Sequence, residues 1–329
     1  MSATLRDRGE RALLETIRRL VPAGGRILLG PGDDAAVLAR SRRPLLLTID
    51  ALVEGVHFRR EWLTPRALGR RAVAVSASDI AAMGGRPLAV LLAIEATPNT
   101  TAGTIRGVVH GAHAAARAAG AGLAGGNLAA GRALALTVAV VGEAPWRPIT
   151  RAGGHAGDRV FVTGNLGGAA LGLRRLRRSH SILPGDPAVR RWQQPVARLR
   201  AGAALARAGI ASAMIDLSDG LLVDTGRLCS ASGVGARIDS ARLPLAPALR
   251  RMPAAVARGL AVAGGEDYEL LFTVRPARLD ALASARTALG CPVTEIGVLV
   301  ATRGVRMIDA SGRVLPVPRH VGHEHFRSA

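Results

Sequence analysis

A chain of 329 residues, 49% of them hydrophobic, is long enough for two folded domains with separate cores. The formal net charge is +20, and all 44 basic residues are arginine, because the sequence contains no lysine. The absence of lysine excludes a Walker-type phosphate loop and Schiff-base chemistry. Aromatic residues make up only 2% and the arginines are dispersed, so the charge favours solvated faces over a nucleic-acid surface.

The cysteine content and the length of the apolar runs exclude further kinds of protein. Cys229 and Cys291 are far apart and form no Cys-x-x-Cys pair, which favours neither a disulfide framework nor a zinc site. The N-terminus lacks the apolar core of a signal peptide, and no apolar run approaches the roughly 20 residues of a membrane span. We therefore expect a cytoplasmic protein with neither a membrane nor a nucleic-acid partner.

The first half of the chain predicts a domain of mixed strands and helices. Apolar residues at helical spacing predict a helix over 10–20, and two short strands are expected around the Gly-Pro-Gly-Asp-Asp turn at 30–34. The elements predicted next are a strand ending at Asp50, a helix from Pro65 to Met83, a strand at 87–96, a helix at 104–120 and a strand at 132–144. This order predicts an α+β domain over 1–146, a mixed sheet with helices on one face.

The second half predicts an α/β domain over 147–329. It opens with a strand, the glycine-rich turn 163–168 and a helix, a geometry that can hold phosphate on backbone N–H groups at a helix N-terminus. A plain tight turn is an equal alternative there. Strands and helices alternate onward to a hairpin expected around Asp309–Gly312.

Aspartates recur at the ends of apolar elements in both halves of the sequence. Any one of them fits a helix cap, a turn residue or an arginine partner. Together they fit Mg²⁺ sites, because Mg²⁺ prefers a few carboxylates plus the oxygens of nucleotide phosphates, and phosphoryl transfer needs such ions. The residues of this set are Asp34, Asp50, Asp79, Asp216 and Asp219.

A second acidic stretch, Gly-Gly-Glu-Asp-Tyr-Glu-Leu at 264–270, holds three carboxylates and the single tyrosine of the chain. It is either a turn before the strand 270–274 or a glycine-opened loop that presents Glu266 or Asp267 to a ligand.

The motifs "GPGDDAAVL", "TIDALVEGVHF", "SASDIAAMGG", "TRAGGHAGDRVFVTGNLGG", "IDLSDGLLVD", "GGEDYELLFTV" and "GHEHF" follow one another from residue 30 to 326. This series resembles the thiamine-monophosphate kinase family, in the superfamily that includes aminoimidazole ribonucleotide synthetase and selenophosphate synthetase. The resemblance implies phosphorylation of thiamine monophosphate to thiamine diphosphate by ATP and Mg²⁺, through direct in-line transfer without a covalent intermediate. It also implies a homodimer paired through the N-terminal domain.

The resemblance assigns roles to individual residues. The implied metal ligands are Asp34, Thr48, Asp50, Asp79, Asn127, Asp216 and Asp219, of which Asp216 and Asp219 are also the implied catalytic residues. The implied nucleotide contacts are Thr48, Gly126, Asn127, Arg151 and Ser218. The implied contacts to thiamine phosphate are His57, Glu266 and His323.

The sequence departs from the family pattern at several of these positions. Asn127 stands where the family has an aspartate and brings an amide oxygen without charge. Leu128, Ala129 and Ala130 replace hydroxyls and an arginine, and His323 replaces an aromatic residue. These changes leave two alternatives open: a catalytically weakened nucleotide-binding paralogue, and another ATP-dependent enzyme of the same superfamily.

Overall fold

The computed structural model describes residues 4–8, 10–22, 24–31, 34–144, 147–179 and 185–316. The chain divides into two compact units. The N-terminal unit contains the described residues of 4–80 and 86–144, and the C-terminal unit contains 81–85, 147–179 and 185–316. Among the described helices, none combines the length and the apolar character needed to cross a bilayer.

The N-terminal unit follows the expected alternation of helices and strands. Its elements are α1 (Leu5–Arg8), α2 (Glu10–Leu20), β1 (Ile27–Leu29), β2 (Val37–Leu38), β3 (Leu45–Val53), α3 (Pro65–Ala82, whose last two residues belong to the other unit), β4 (Arg86–Ala96), α4 (Ala102–Ala118), β5 (Gly122–Ala130) and β6 (Ala135–Glu143). The helix over 10–20 and the antiparallel pair β1–β2 are confirmed. Thr64 accepts a hydrogen bond from the Ala67 backbone N–H at 3.2 Å, which fits the predicted start of α3.

A four-stranded mixed sheet forms the centre of this unit, with the order β3-β6-β4-β5. The pair β4–β5 is parallel, and β6 is antiparallel to both β3 and β4. Helices α3 and α4 are in close backbone contact: a Cβ added to Gly69 would lie only 1.9 Å from the Val108 carbonyl oxygen. The predicted fold class, a mixed sheet with helices on one face, is confirmed.

Strand β5 was not predicted. Its sequence, Gly-Leu-Ala-Gly-Gly-Asn-Leu-Ala-Ala, has neither β-branched nor aromatic residues and gives no strand signal. It forms because β4 offers a parallel edge: the backbone at Gly126 approaches β4 so closely that a Cβ would lie 1.8 Å from the Leu92 carbonyl oxygen. Glycine at this position is therefore a packing requirement.

The C-terminal unit is built on a seven-stranded sheet. Its elements are β7 (Arg159–Thr163), α5 (Gly168–Ser179), α6 (Pro187–Gln193), α7 (Leu199–Arg207), β8 (Ala211–Asp216), α8 (Leu221–Ser232), β9 (Gly235–Asp239), α9 (Ala254–Ala263), β10 (Leu270–Val274), α10 (Leu279–Leu289), β11 (Val293–Val300), β12 (Gly304–Ile308) and β13 (Val314–Leu315). The strand order is β13-β12-β9-β11-β7-β10-β8, antiparallel except for the parallel pair β12–β9. The expected hairpin is the pair β12–β13.

Each face of this sheet has its own hydrophobic core. Val160 and Val162 of β7 face a core shared with α8 and α9, whereas Phe161 faces a core shared with α7 and α10. Phe161 stacks on Phe272 of β10 with ring centroids 5.6 Å apart. Because the central strands are buried on both faces, they carry consecutive apolar residues rather than an alternating pattern.

Candidate active site

The predicted site residues fall into two groups, one in each unit. In the N-terminal unit, Thr48 and Asp50 are two residues apart on β3, so both face the helices on the inner side of the sheet. Asp79 lies on α3 opposite them, and the Thr48 hydroxyl donates a hydrogen bond to its carboxylate at 2.5 Å. The structure therefore brings together three of the residues that the resemblance implies as metal ligands.

The electrostatics of this group are those of an acidic pair. The pKa of Asp50 is raised above its usual value, first by burial and second by the negative charge of Asp79, against a hydrogen bond with Ser76. Among the described residues, no arginine is paired with Asp50 or Asp79. A half-buried pair of carboxylates without a protein cation is a donor set that suits a divalent ion.

Asp34, Gly126 and Asn127 lie along one wide, open cavity of about 1480 Å³ in the N-terminal unit. The cavity is mostly apolar, with Leu91 and Ile94 of β4 among its walls. Asn127 is exposed on β5, so its amide is accessible from this space. Asp34 is also exposed.

His57 follows β3 in the turn that ends the strand. Nδ1 of its ring accepts a hydrogen bond from the Val53 backbone N–H at 3.0 Å. The His57 backbone N–H donates to the Val53 carbonyl oxygen at 2.8 Å. Because Nδ1 acts as acceptor, neutral His57 carries its proton on Nε2.

In the C-terminal unit, the turn 216–220 pairs with the loop 264–269. The Leu217 N–H donates to the Glu269 carbonyl oxygen at 2.8 Å, and the Glu266 N–H donates to the Ser218 carbonyl oxygen at 2.7 Å. A Cβ on Gly265 would lie 2.4 Å from that same Ser218 oxygen, so only glycine allows this approach. Two motifs about fifty residues apart in sequence thus form one structure, which carries Asp216, Ser218, Asp219 and Glu266.

Asp219 is not isolated in this turn. Arg227 of α8 contacts the Asp219 carboxylate at 2.5 Å and the Asp224 carboxylate at 2.8 Å. Asp224 is fully buried and accepts hydrogen bonds from the backbone N–H groups of Asp219 and Gly220, both at 3.0 Å. Burial raises the pKa of Asp224 to about 6, against the charge of Arg227.

Asp224 and Arg227 were missed by the sequence reasoning. The available signal was the last aspartate of "IDLSDGLLVD", four residues after the glycine that precedes α8. A carboxylate in the first helical turn can hold the backbone N–H groups at the helix start, which here fixes the turn bearing Asp219.

The structure shows where the amides of the glycine-rich turn at 163–168 donate their hydrogen bonds. The Gly167 and Ala169 N–H groups donate to the Asp267 carboxylate at 2.6 and 3.1 Å, and the Gly164 N–H donates to the Pro292 carbonyl oxygen at 2.9 Å. Asp267 is 2% exposed, so it is an internal anchor rather than a group presented to a ligand. The amides of Gly164, Leu166 and Gly167 thus already have acceptors within the protein, which favours the alternative of a plain tight turn over a phosphate-binding turn.

A buried ionic cluster next to this anchor also escaped the sequence reasoning. Glu269 is fully buried and pairs with Arg191 and with Arg198, the latter at 2.5 Å. The Thr163 hydroxyl donates to the same carboxylate at 2.6 Å. Glu269 is separated from Arg191 by 78 positions and from Arg198 by 71 positions in the sequence. No local sequence pattern could therefore predict these ion pairs.

Arg151 is exposed on the segment that leads into β7, and its carbonyl oxygen accepts a hydrogen bond from the Ser232 hydroxyl at 2.8 Å. His323 lies outside the described residues. Over the ranges that the structure describes, no three His, Cys, Asp or Glu side chains gather into a group that could hold a metal ion. The acidic pair of Asp50 and Asp79 therefore needs further oxygens from elsewhere to complete a metal site.

Two family models cover most of the chain: AIR synthase related protein, N-terminal domain, over residues 32–144, and AIR synthase related protein, C-terminal domain, over residues 155–310. Thiamine-monophosphate kinases of Mycobacterium tuberculosis and Escherichia coli K12 are each 37% identical to the chain. The first match covers 82% of both proteins, and the second covers 83% of this chain and 84% of the relative. The chain belongs to the thiamine-monophosphate kinase family.

Solved structures agree with this membership. The thiamine-monophosphate kinase of Stenotrophomonas maltophilia is 34% identical, with a TM-score of 0.82 over 96% of this chain and 99% of that one. A structure described as AaThiL complexed with AMPPCP and TMP is 30% identical, with a TM-score of 0.76 over 99% and 100% of the two chains. The hydrogenase maturation protein HypE of Escherichia coli shares the fold at 21% identity. The protein is thus an enzyme of the thiamine-monophosphate kinase family.

Proposed function

We propose that this enzyme transfers the γ-phosphoryl group of ATP to thiamine monophosphate, giving thiamine diphosphate and ADP in the cytoplasm. Family membership supports the reaction, as does the solved relative whose described ligands are AMPPCP and TMP. The single structural observation that carries the proposal is the hydrogen bond from the Glu266 N–H to the Ser218 carbonyl oxygen. It places the residue proposed to hold thiamine phosphate beside the turn proposed to hold nucleotide and metal.

The transfer is written as one in-line displacement. A phosphate oxygen of thiamine monophosphate forms a bond to the γ-phosphorus, and the bond from that phosphorus to the bridging oxygen of ADP breaks. The acceptor is already an anion, so no side chain has to remove a proton from a hydroxyl. The tasks left to the protein are positioning the two phosphates and offsetting their charge.

Carboxylates in both units fit the Mg²⁺ that this chemistry uses. Asp50 and Asp79 offer two carboxylates with the Thr48 hydroxyl between β3 and α3. Because Mg²⁺ is held by one or two carboxylates plus substrate phosphates and water, a pair of this kind is sufficient on the protein side. Bound there, the ion would neutralise charge on the transferred phosphoryl group. We assign the same role to Asp216 and Asp219, with Asp34 and Asn127 as further oxygen donors from the cavity wall.

The remaining assigned residues act on the two substrates. Gly126, Arg151 and Ser218 are proposed to contact the nucleotide, together with Thr48 and Asn127. Arg151 supplies the positive charge that a lysine provides in other kinases. His57 and Glu266 are proposed to hold thiamine phosphate.

We also propose that the enzyme is a homodimer paired through its N-terminal unit. The outer face of the four-stranded sheet exposes Leu45, Leu47, Ile49 and Leu91, and Leu47 is 76% exposed. Adjacent apolar side chains on one sheet face form a patch that monomeric proteins rarely leave in water. A second copy of the same face would cover it symmetrically.

The assay that tests the function combines purified protein with ATP, MgCl₂ and thiamine monophosphate, and measures thiamine diphosphate and ADP. We expect equimolar products that require Mg²⁺ and disappear with EDTA. The variant Asn127→Asp is run beside the wild type, because it restores a charged oxygen donor and is expected to lower the Mg²⁺ concentration for half-maximal rate. ATP binding without turnover in the wild type, with turnover in Asn127→Asp, would replace the proposal by the weakened-paralogue alternative.

A further inference from the structure

Helix α6 holds the loop 264–269 through two consecutive side chains. Trp192 is fully buried, and its indole N–H donates a hydrogen bond to Oε2 of Glu266. Arg191 donates to the carbonyl oxygen of Asp267 at 2.7 Å and pairs with the Glu269 carboxylate. One short helix thus contacts three residues of the loop.

The helix is itself firmly placed against α5. Asp186 accepts hydrogen bonds from the Ala188 and Val189 N–H groups at 2.9 and 3.3 Å and pairs with Arg175 of α5 at 2.6 Å. A Cβ on Gly172 of α5 would lie 2.1 Å from the Ala188 carbonyl oxygen, so the two helices are in backbone contact. Trp192 therefore approaches Glu266 from a rigid support.

The loop is anchored a second time at the start of α5. The Asp267 carboxylate accepts hydrogen bonds from the Gly167 and Ala169 N–H groups. Helices α5 and α6 thus hold adjacent residues of the same loop. This double attachment leaves little freedom for the backbone that carries Glu266.

The backbone here has an unfavourable conformation that these contacts maintain. Among the residues that the structure describes, two other than glycine have a positive φ: Glu266 at 70° and Tyr268 at 48°. Residues other than glycine, asparagine and aspartate rarely adopt this backbone conformation, and those that do concentrate at functional sites. The conformation directs the Glu266 side chain towards Trp192 while its N–H stays on the Ser218 carbonyl oxygen.

We propose that Trp192 is a positioning residue for thiamine phosphate, which it serves by orienting the carboxylate of Glu266; this inference rests on the proposed function. An indole N–H can only donate, so it holds one of the two carboxylate oxygens in a fixed position. A carboxylate held in this way is suited to an amino group or a cationic ring, and thiamine phosphate has both. Trp192 itself does not contact the reacting phosphates.

The experiment compares Trp192→Phe, which keeps a buried aromatic ring but removes the N–H, with the wild type. We expect KM for thiamine monophosphate to rise about 10-fold, as befits the loss of one hydrogen bond to a charged group. We expect kcat and KM for ATP to stay within about 2-fold, since the phosphates are bound by other residues. The matched control is Trp62→Phe, the same change at a buried tryptophan of the other unit, which is expected to leave KM for thiamine monophosphate unchanged.

A double-mutant cycle separates positioning from packing. In a Glu266→Gln background, Trp192→Phe should raise KM for thiamine monophosphate much less than in the wild type, because the carboxylate it orients is gone. Equal increases of both KM values with a fall in kcat and Tm would show a structural role and overturn the inference. A KM for Trp192→Phe equal to the wild-type value would also overturn it. An unchanged KM for thiamine monophosphate in Glu266→Gln would refute the role proposed for Glu266. A wild type without turnover would refute the proposed function. Either result would remove the basis of this inference.

Discussion

Asp50 and Asp79 in the N-terminal unit and Glu269 in the C-terminal unit are all carboxylates shielded from water, but their surroundings have opposite charge. Glu269 is fully buried between Arg191 and Arg198 and accepts a hydrogen bond from Thr163. Asp50 and Asp79 have each other as charged neighbours, and the pKa of Asp50 is raised first by burial and second by the charge of Asp79.

The difference separates a structural carboxylate from one available for ligands. A buried carboxylate that has its cations inside the protein belongs to the internal framework and is not available to an external cation. A pair of carboxylates without such cations costs folding energy, and the cost is recovered when an external cation binds. If burial were the criterion, Glu269 would be the better candidate for a metal ligand. Because its charge is compensated by arginines, Asp50 and Asp79 are the better candidates.

The strongest test of this contrast is Asp79→Asn. If the acidic pair holds Mg²⁺, kcat should fall at least about 100-fold, because transition-state charge stabilisation by the metal is lost. The free energy of unfolding should stay the same or rise, since the repulsion from Asp50 is removed. Steady-state kinetics and urea denaturation measure the two effects.

The control for Asp79→Asn is Asp309→Asn, at a partly exposed turn aspartate that accepts hydrogen bonds from the N–H groups of Ser311 and Arg313. It should change kcat by less than 2-fold, on the order expected for a surface site. Normal turnover in Asp79→Asn would contradict the metal role of the pair.

Glu269→Gln should show the opposite profile. Removing one partner of a buried ion pair leaves the arginines uncompensated, so the free energy of unfolding should fall by about 3 kcal/mol. The control is Glu295→Gln, a partly exposed carboxylate that pairs with Arg242 at 3.1 Å, where the loss should be under about 1 kcal/mol. Equal stability changes in the two variants would refute the structural role of the cluster.

The smallest expected effect is a pH dependence of stability from Asp267. Burial raises the pKa of this carboxyl to about 7, against its two backbone N–H donors and the charge of Arg191. Since the unfolded pKa is 3.8, the folded state holds the proton more tightly, and this contribution to stability is lost as the pH rises through about 7. The free energy of unfolding should therefore fall by about 1 kcal/mol per pH unit between pH 5 and 7. Urea denaturation of the wild type and Asp267→Asn at pH 5, 6, 7 and 8 measures it, and parallel curves for the two proteins would contradict the assignment.

The sequence predicted those features that depend on local pattern. The helix Glu10–Leu20, the hairpin at the end of β12 and the start of α3 all follow from periodicity and capping residues. The strand β5 did not follow, because its stability comes from an edge offered by β4 rather than from its own residues. The sequence also left two alternatives for the glycine-rich turn, because Asp267, which binds the amides of Gly167 and Ala169, is about one hundred residues away in the chain.

By itself, the sequence determined the class of chemistry: a kinase-family chain without lysine, whose aspartates end apolar elements and whose motifs mark the family. The tertiary structure alone decided which carboxylates are compensated. Glu269 meets two arginines, Asp219 has only a share of Arg227 because Asp224 pairs with the same guanidinium, and Asp50 meets Asp79. The physical reason is that Coulomb energy depends on distances of a few ångströms in a medium of low dielectric constant, and only the fold sets such distances between residues far apart in the chain.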